Sequence, residues 1–383
     1  MKMEAVFLSN FYNHHQMPLS RSFYQMLCDH YLFVETAPMD AERRQMGYQE
    51  FEEPFVCQFG DCPKACMDRI SQADVVIFGS APEKLIRERL KKGKLVFQYS
   101  ERIYKIPPKW YEMPARAAKY YLNRGRFQNC YLLCASAFAS QDYNRTKTYP
   151  NRMYRWGYFP ETKHYRLEEL FAGKNRHKIL WVGRFLDWKH PDDALLVAER
   201  LKKEGYAFQM EFAGTGVMES RLRDMTASMG LDDCVSFLGP VPSNQVRHLM
   251  EQVGIFLFTS DRYEGWGAVL NESMNSGCAV VASHAIGSVP YLMKHNENGL
   301  IYKSGDVDGI YQNVKYLLDN PGEQRRLGSA AYETITGLWN AEVAAQRLMT
   351  LSEHLLAGEK YPDLYEEGPC SKAGIVPDDW DFH

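Results

Sequence analysis

Apolar runs of strand length recur along this 383-residue chain, and stretches with helical periodicity separate them. In the first half the runs are AVFLS, ADVVIFGS, KLVFQYS and YLLCAS, with a helical pattern in EKLIRERLKKG that closes on a basic turn and a glycine. In the second half they are KILWVGR, FQMEFAG, CVSFLG, GIFLFTS and CAVVAS, alternating with PDDALLVAERLKKEG, GVMESRLRDMTASMG and NQVRHLMEQV. Strands joined by helices of about 10–15 residues demand parallel pairing, since a parallel neighbour is reached only through a long crossover. The pattern therefore predicts a parallel sheet in each half. The chain is also too long for one ordinary core, so two domains are expected. FPETKHYRLEELFAGKNRHK, residues 159–178, is charged, lacks a strand pattern and reads as a linker. The expected organisation is a Rossmann-like domain over residues 1–160, a linker over 161–177, a second Rossmann-like domain over 178–340, and a C-terminal helix packing back on the first domain with a tail over 341–383. Two doubly wound domains facing each other would enclose a cleft.

Hydrophobic residues at 45%, charged residues at 24% and a net charge of −3 are ordinary for a globular protein and do not point to nucleic acid. No apolar run is long enough to span a membrane, and the first residues lack a cleavage site of the secretory kind. Nine scattered cysteines suit a reducing cytosol. Cys57, Cys62 and Cys66 cluster, but spacings of five and four are not those of a zinc knuckle, and no metal is expected.

EGWGAVLNE, residues 264–272, sets Glu264 and Glu272 at the ends of an apolar, glycine-containing segment. It follows a strand run, so Glu264 is expected in a strand-to-helix loop and Glu272 about two turns into the helix. Eight steps of 100° return a side chain to within about 80° of its starting direction, so both carboxylates could line one crevice at a sheet's C-terminal edge. VGRFLDWKH delivers Arg184 and Lys189 beyond the end of another strand at Gly183, where two cations suit a diphosphate. FAGTG places Gly214 in a turn where backbone can approach a ligand closely.

VGRFLDWK, FAGTG, VSFLGPV, EGWGAVLNESMNSGCAVVAS and ENGLIYKSGD stand in order between residues 178 and 345, and together they resemble the retaining glycosyltransferases of family 4, of GT-B fold. The resemblance implies that Glu264 faces the donor sugar, that Glu272 holds the nucleotide ribose, and that Arg184 and Lys189 bind the diphosphate. It further implies that Gly265 and the backbone amides from Gly267 through Ala268, Val269 and Leu270 complete the anion site. The base would lie near Gly239, Pro240 and Val241. The expected donor is a UDP-sugar, used without a metal because nothing resembles the DxD site of other glycosyltransferases, and the acceptor a glycan or lipid-linked glycan of polysaccharide biosynthesis. A GT-B phosphorylase or epimerase, or a non-catalytic carbohydrate-binding relative, is the alternative. The chain departs from the family at IGSVPY, where Ser288 and Tyr291 replace a glycine and an acid, which leaves the donor sugar open.

The first half resembles the family in layout only. Asn13, His14, His15 and Gln16 follow the first strand, as Glu101 follows another, and they are candidate acceptor contacts, the histidines also candidate catalytic groups. From Lys84 to Arg126 thirteen Lys and Arg face three acids, a local charge of about +10, interleaved with aromatics. That stretch reads either as an ordinary solvated face or as a surface that meets anionic lipid, which would place a cytoplasmic protein at the membrane's inner face.

Overall fold

A computed structural model describes residues 3–38 and 52–382. The chain divides into two compact units, residues 1–161 with 338–377 and residues 162–337 with 378–383. Each is built on one fully parallel sheet, as the strand–helix alternation demands.

In the first unit the strands are β1 (Ala5–Ser9), β2 (Tyr31–Glu35), β3 (Val56–Gln58), β4 (Val75–Phe78), β5 (Leu95–Ser100), β6 (Cys130–Cys134) and β7 (Met153–Arg155), in the order β3-β2-β1-β4-β5-β6-β7. β1, β4 and β6 are buried on both faces, which accounts for their unbroken apolar runs. β2, β3 and β7 were not evident as strands in the sequence. β3 and β7 span three residues each at the two sheet edges, too short for a periodic signal. The expected helix in EKLIRERLKKG is interrupted at Ile86 (φ −109°), leaving a single turn over Glu83–Leu85 and a short helix over Arg87–Lys91.

The second unit contains β8 (Asn175–Val182), β9 (Gln209–Ala213), β10 (Val235–Gly239), β11 (Val253–Phe258), β12 (Ala279–Ser283) and β13 (Leu300–Tyr302), ordered β10-β9-β8-β11-β12-β13. The helix Pro191–Lys203 buries Ala194, Leu195, Val197, Ala198 and Leu201. Proline at its start, Asp192 and Asp193 in its first turn and Arg200, Lys202 and Lys203 in its last complement the helix dipole.

Residues 162–177 differ from the expected linker. They contain the helix Leu167–Ala172 and the start of β8, and they are tied into the second unit by bonds from Lys163 N to Asn275 Oδ1 (2.8 Å) and from Tyr165 N to the Tyr332 hydroxyl (2.9 Å). Their polar surface masked a helix that buries only Leu170. The helix Ala341–Leu356 packs against the helix Met17–Leu27 in the first unit. The segment after it lacks regular structure but is anchored, with Tyr154 donating to Pro362 O at 2.9 Å and Ser140 to Gly374 O at 2.7 Å.

In each sheet the chain changes direction once. The change lies between β1 and β4 in the first and between β8 and β11 in the second. Connections leave such a point to opposite sides and open a crevice at the strands' C-terminal ends, where open α/β sheets bind ligands.

Candidate functional site

In the second unit the loops after β8, β9 and β10 are laced by backbone bonds. Gly183 N donates to Ala213 O (3.0 Å), Gly214 N to Gly239 O (2.8 Å) and Phe185 N to Thr215 O (2.9 Å). Gly214 has φ +145°, and a Cβ there would lie 1.9 Å from Gly183 O. No other residue fits. Gly214→Ala is therefore expected to destabilise the second unit by about 3 kcal/mol or more, through overpacking and backbone strain together. Thermal denaturation checks this: a melting point unchanged from the parent would contradict it.

Across the switch point the loops after β8 and β11 meet. Thr259 Oγ1 donates to Lys189 O (2.5 Å) and accepts from Trp181 Nε1 (2.8 Å), while Asp261 N donates to Trp188 O (2.9 Å). Held this way, Lys189 Nζ lies 2.5 Å from Glu264 Oε2, which also accepts from Ser260 Oγ at 2.9 Å. Both side chains of the ion pair are largely buried, 12% and 14% exposed, so their attraction is little screened. The Trp188 ring lies beneath the ammonium at 4.7 Å. Arg184 is exposed, and among the described residues its guanidinium has no ion-pair partner. The sequence suggested two cations directed at a diphosphate and a separate Glu264. Instead Lys189 is already paired with Glu264, a contact between residues 75 positions apart that no spacing reveals.

Gly265 and Trp266 are buried, and Trp266 Nε1 donates to Asn271 Oδ1 at 2.8 Å. Gly267 has φ +85°, and a Cβ there would meet the Phe258 ring at 2.6 Å. The helix begins only at Val269 and spans seven residues, so Glu272 sits one turn in rather than two. Leu270 N is spent on Gly267 O (2.9 Å), which corrects the expectation that this amide faces an anion. The amides of Ala268 and Val269 have no partner among the described residues. With so short a helix, the positive character of the site comes mainly from Arg184 and Lys189.

The Glu272 carboxyl group has no hydrogen-bond partner among the described residues, although its backbone N–H donates to Ala268 O (3.2 Å). Burial raises its carboxyl to about 7, with Arg247 opposing the rise, while the Arg247 guanidinium itself donates to Asn275 Oδ1. Gly239 (φ +71°) opens onto free space, followed by exposed Pro240 and half-buried Val241. Ser288 and Tyr291 lie beside the site, with Gly287 N donating to Glu264 O (3.3 Å) and the Tyr291 ring 6.4 Å from Trp266. DxD strings do occur, at Asp306–Asp308 and at Asp379–Asp381 in the C-terminal segment, contrary to the reading of the sequence. The first is a helix cap, because Asp306 Oδ1 accepts from Gly309 N (2.9 Å) and Asp308 pairs with Arg200.

In the first unit a cavity of about 500 Å³ opens at the switch point, lined by Asn13, His15, Gln16 and Glu101 together with Ser9, Asn10, Ser80, Gln98, Tyr99 and Tyr158. Four of the five candidate acceptor residues meet there. His14 is not in the lining. Its ring lies against that of His15, centroids 4.0 Å apart and planes tilted by 44°, and burial lowers its pKa, favouring the neutral form. Asn13 is 4% exposed and closes the turn, accepting from His15 N at 2.9 Å and, through its carbonyl, from Gln16 N at 3.0 Å. Tyr158 donates to Glu101 Oε1 at 2.6 Å. Ser9, Ser80 and Tyr158 were missed because single polar residues after a strand carry no motif; their position at strand ends was the available signal.

The family model for glycosyl transferases group 1 matches residues 167–334. The chain is 27% identical over 206 residues to the amylovoran biosynthesis glycosyltransferase AmsK of Erwinia amylovora, covering 52% of this chain and 50% of that one. It is 26% identical over 184 residues to the putative colanic acid biosynthesis glycosyltransferase WcaL of Escherichia coli, covering 46% and 45%. The matched segment thus spans about half the length of these curated relatives. Among solved structures the chain as a whole resembles Anabaena HepE in complex with UDP (TM-score 0.68, 16% identity, 92% of this chain and 100% of that one). It also resembles a glycosyltransferase of Rickettsia africae (TM-score 0.67, 14% identity, 93% and 99%). These likenesses show the fold, the two-domain α/β architecture of GT-B proteins.

Proposed function

We propose that this chain is a retaining glycosyltransferase that moves a sugar from a nucleotide-sugar donor, a UDP-sugar, to a glycan or lipid-linked acceptor. The observation that carries this reading is the largely buried Lys189–Glu264 pair at the switch point of the second sheet, with Arg184 unpaired nearby. An ammonium has three N–H donors and Glu264 does not exhaust them, so Lys189 can bind a diphosphate oxygen while orienting the carboxylate toward sugar hydroxyls. As the glycosidic bond breaks, negative charge grows on the leaving diphosphate, and preorganised Lys189 and Arg184 stabilise it without rearrangement. These cations take the place of a metal in this reading, so transfer should proceed without added Mg²⁺ or Mn²⁺. The first-unit cavity is assigned to the acceptor. Support for a polysaccharide setting comes from the names of the relatives, and for UDP from the complex of a structural neighbour. Product analysis by NMR tests the reading: transfer with the donor's anomeric configuration kept supports it, whereas inversion, phosphorolysis or mere epimerisation of the donor would contradict it.

Glu272 supplies a pH signature. A ribose diol donates two hydrogen bonds best to an ionised carboxylate, so binding must deprotonate a group poised near 7. UDP affinity should rise through neutrality more steeply in the parent than in Glu272→Gln, with protons released on binding, as calorimetry in buffers of different ionisation enthalpy would show. Equal pH slopes in the two proteins would remove Glu272 from the ribose. In the free protein the sign is opposite. The raised folded-state pKa makes this group's contribution to stability full below the ordinary carboxylate range of about 4.3 and lost as pH rises through about 7.

The same reading includes docking on anionic membrane. Among the described residues no helix is long and apolar enough to cross a bilayer. Exposed Ile106, Trp110, Tyr111, Tyr121 and Leu122 stand among Lys109, Lys119 and Arg126, apolar rings and basic groups of the kind that seat at headgroup level. Not all of the basic stretch is surface, however. Arg89 is buried and donates to the carbonyls of Ile70, Ala73, Asp74 and Leu95, Arg102 pairs with Asp142, and Arg124 donates to Gln98. Trp110→Ala with Lys109→Glu and Lys119→Glu should abolish flotation with anionic vesicles and leave UDP affinity intact; unchanged flotation would make this an ordinary solvated face.

A further inference from the structure

Far from these loops in sequence, the first unit gathers three thiols. Cys57 lies on the edge strand β3, Cys62 immediately precedes the helix Pro63–Gln72, and Cys66 lies in that helix's first turn. Their sulfurs are separated by 2.6 Å (Cys57–Cys62), 3.4 Å (Cys57–Cys66) and 3.8 Å (Cys62–Cys66). The arrangement is imposed by the backbone. Phe59 N donates to Glu35 O (2.8 Å) and Asp61 N to Gln58 O (3.2 Å), folding the strand back so that its cysteine meets the start of the helix. Positions 62 and 66 are one helical turn apart, which puts both sulfurs on the face toward Cys57. Cys66 is 1% exposed within the core, whereas Cys57 and Cys62 are half-buried, so the cluster has an apolar floor and a side open to water.

We propose that Cys57, Cys62 and Cys66 form a metal site for one thiophilic divalent cation, zinc above all, held by three thiolates with water at the fourth position. Sulfurs bound at about 2.3 Å in a tetrahedral set stand about 3.8 Å apart, so small shifts of side chains already this close suffice. Soft sulfur ligands select zinc over magnesium or calcium. A disulfide would use only two sulfurs and leave buried Cys66 without a role, whereas one cation engages all three. Binding replaces three S–H bonds by metal–sulfur bonds and releases the protons to solvent. The cation would clip the three-residue strand β3 to the following helix, a structural role independent of sugar transfer.

The test uses the full chain purified in reductant. One equivalent of Co²⁺ should give thiolate charge-transfer absorption and the intense ligand-field bands of a tetrahedral site, bleached by one equivalent of Zn²⁺. Cys57→Ser and Cys62→Ser, each at a half-buried position, should weaken Zn²⁺ binding against a chromophoric chelator by about a hundredfold or more, since losing a ligand exceeds the 10–100-fold cost of losing its outer partners. Cys234→Ser, in the second unit, should bind as the parent does. Chelator should lower the melting point of the parent and not of the Cys57→Ser/Cys62→Ser double variant. The proposal is overturned if the reduced parent gives no thiolate–cobalt bands, if the bands survive in the double variant, or if a Cys57–Cys62 disulfide is recovered from protein kept in reductant.

Discussion

Lys189→Ala is expected to lower kcat by about 10²- to 10³-fold, the cost of removing one preorganised donor from a developing anion. Two features of its setting push the effect to the upper end. The Lys189 side chain is largely buried, its ammonium held by Glu264 Oε2 at 2.5 Å and its backbone carbonyl held by the Thr259 hydroxyl. Its removal also leaves the Glu264 carboxylate without its cation beside the diphosphate, so a repulsion replaces an attraction. Arg184→Ala should cost less on its own, because that side chain is exposed and free to move. The double variant should lose less than the product of the two if both cations act on one leaving group, as proposed. Steady-state kinetics with a fixed acceptor decides the matter, and a fall in kcat of less than about tenfold for Lys189→Ala would remove this lysine from the reaction.

Glu264→Ala should lower turnover by about 10²-fold or more, by contrast without weakening the bare nucleoside diphosphate. With the carboxylate gone, Lys189 is a buried cation that lacks its partner, which destabilises the free protein. A diphosphate then supplies the missing counter-charge. UDP should therefore raise the melting point of Glu264→Ala by at least as much as that of the parent. Glu272→Ala should do the reverse, losing about 1.5–3 kcal/mol of UDP affinity with its hydrogen bonds to the ribose. If Glu264→Ala loses UDP binding and Glu272→Ala keeps it, the two roles are exchanged.

The second unit was the more legible half because its loops carry residues whose chemistry is unusual for their place. Gly214 read as a close-approach glycine, and it stands where a Cβ would collide, as Gly267 does. Lys189 and Glu264 stood out as charges just beyond apolar strands. Their pairing did not, since it depends on two loops meeting across the switch point between β8 and β11. Nor did the half-buried setting of Glu272, because the helix start at Val269 is set by the turn at Gly267 rather than by apolar spacing. In the first unit β3 and β7 were too short to leave a period, and Ser9, Ser80 and Tyr158 became a cavity wall only through the strand order. The three thiols were dismissed on spacing for a similar reason. Gaps of five and four look wrong for a knuckle, yet a strand, a turn and one helical turn bring the sulfurs within 3.8 Å.

The most direct measurement is thermal denaturation of the parent, Arg184→Ala and Glu272→Ala with UDP, GDP and ADP in turn, without added divalent metal. UDP at 100 times its Kd should stabilise the parent by about 2.7 kcal/mol. At that same concentration the gain should shrink in both variants, and GDP and ADP should give less. A parent that no nucleoside diphosphate stabilises, or a UDP shift of the same size in all three proteins, would contradict a nucleotide-sugar site in these loops.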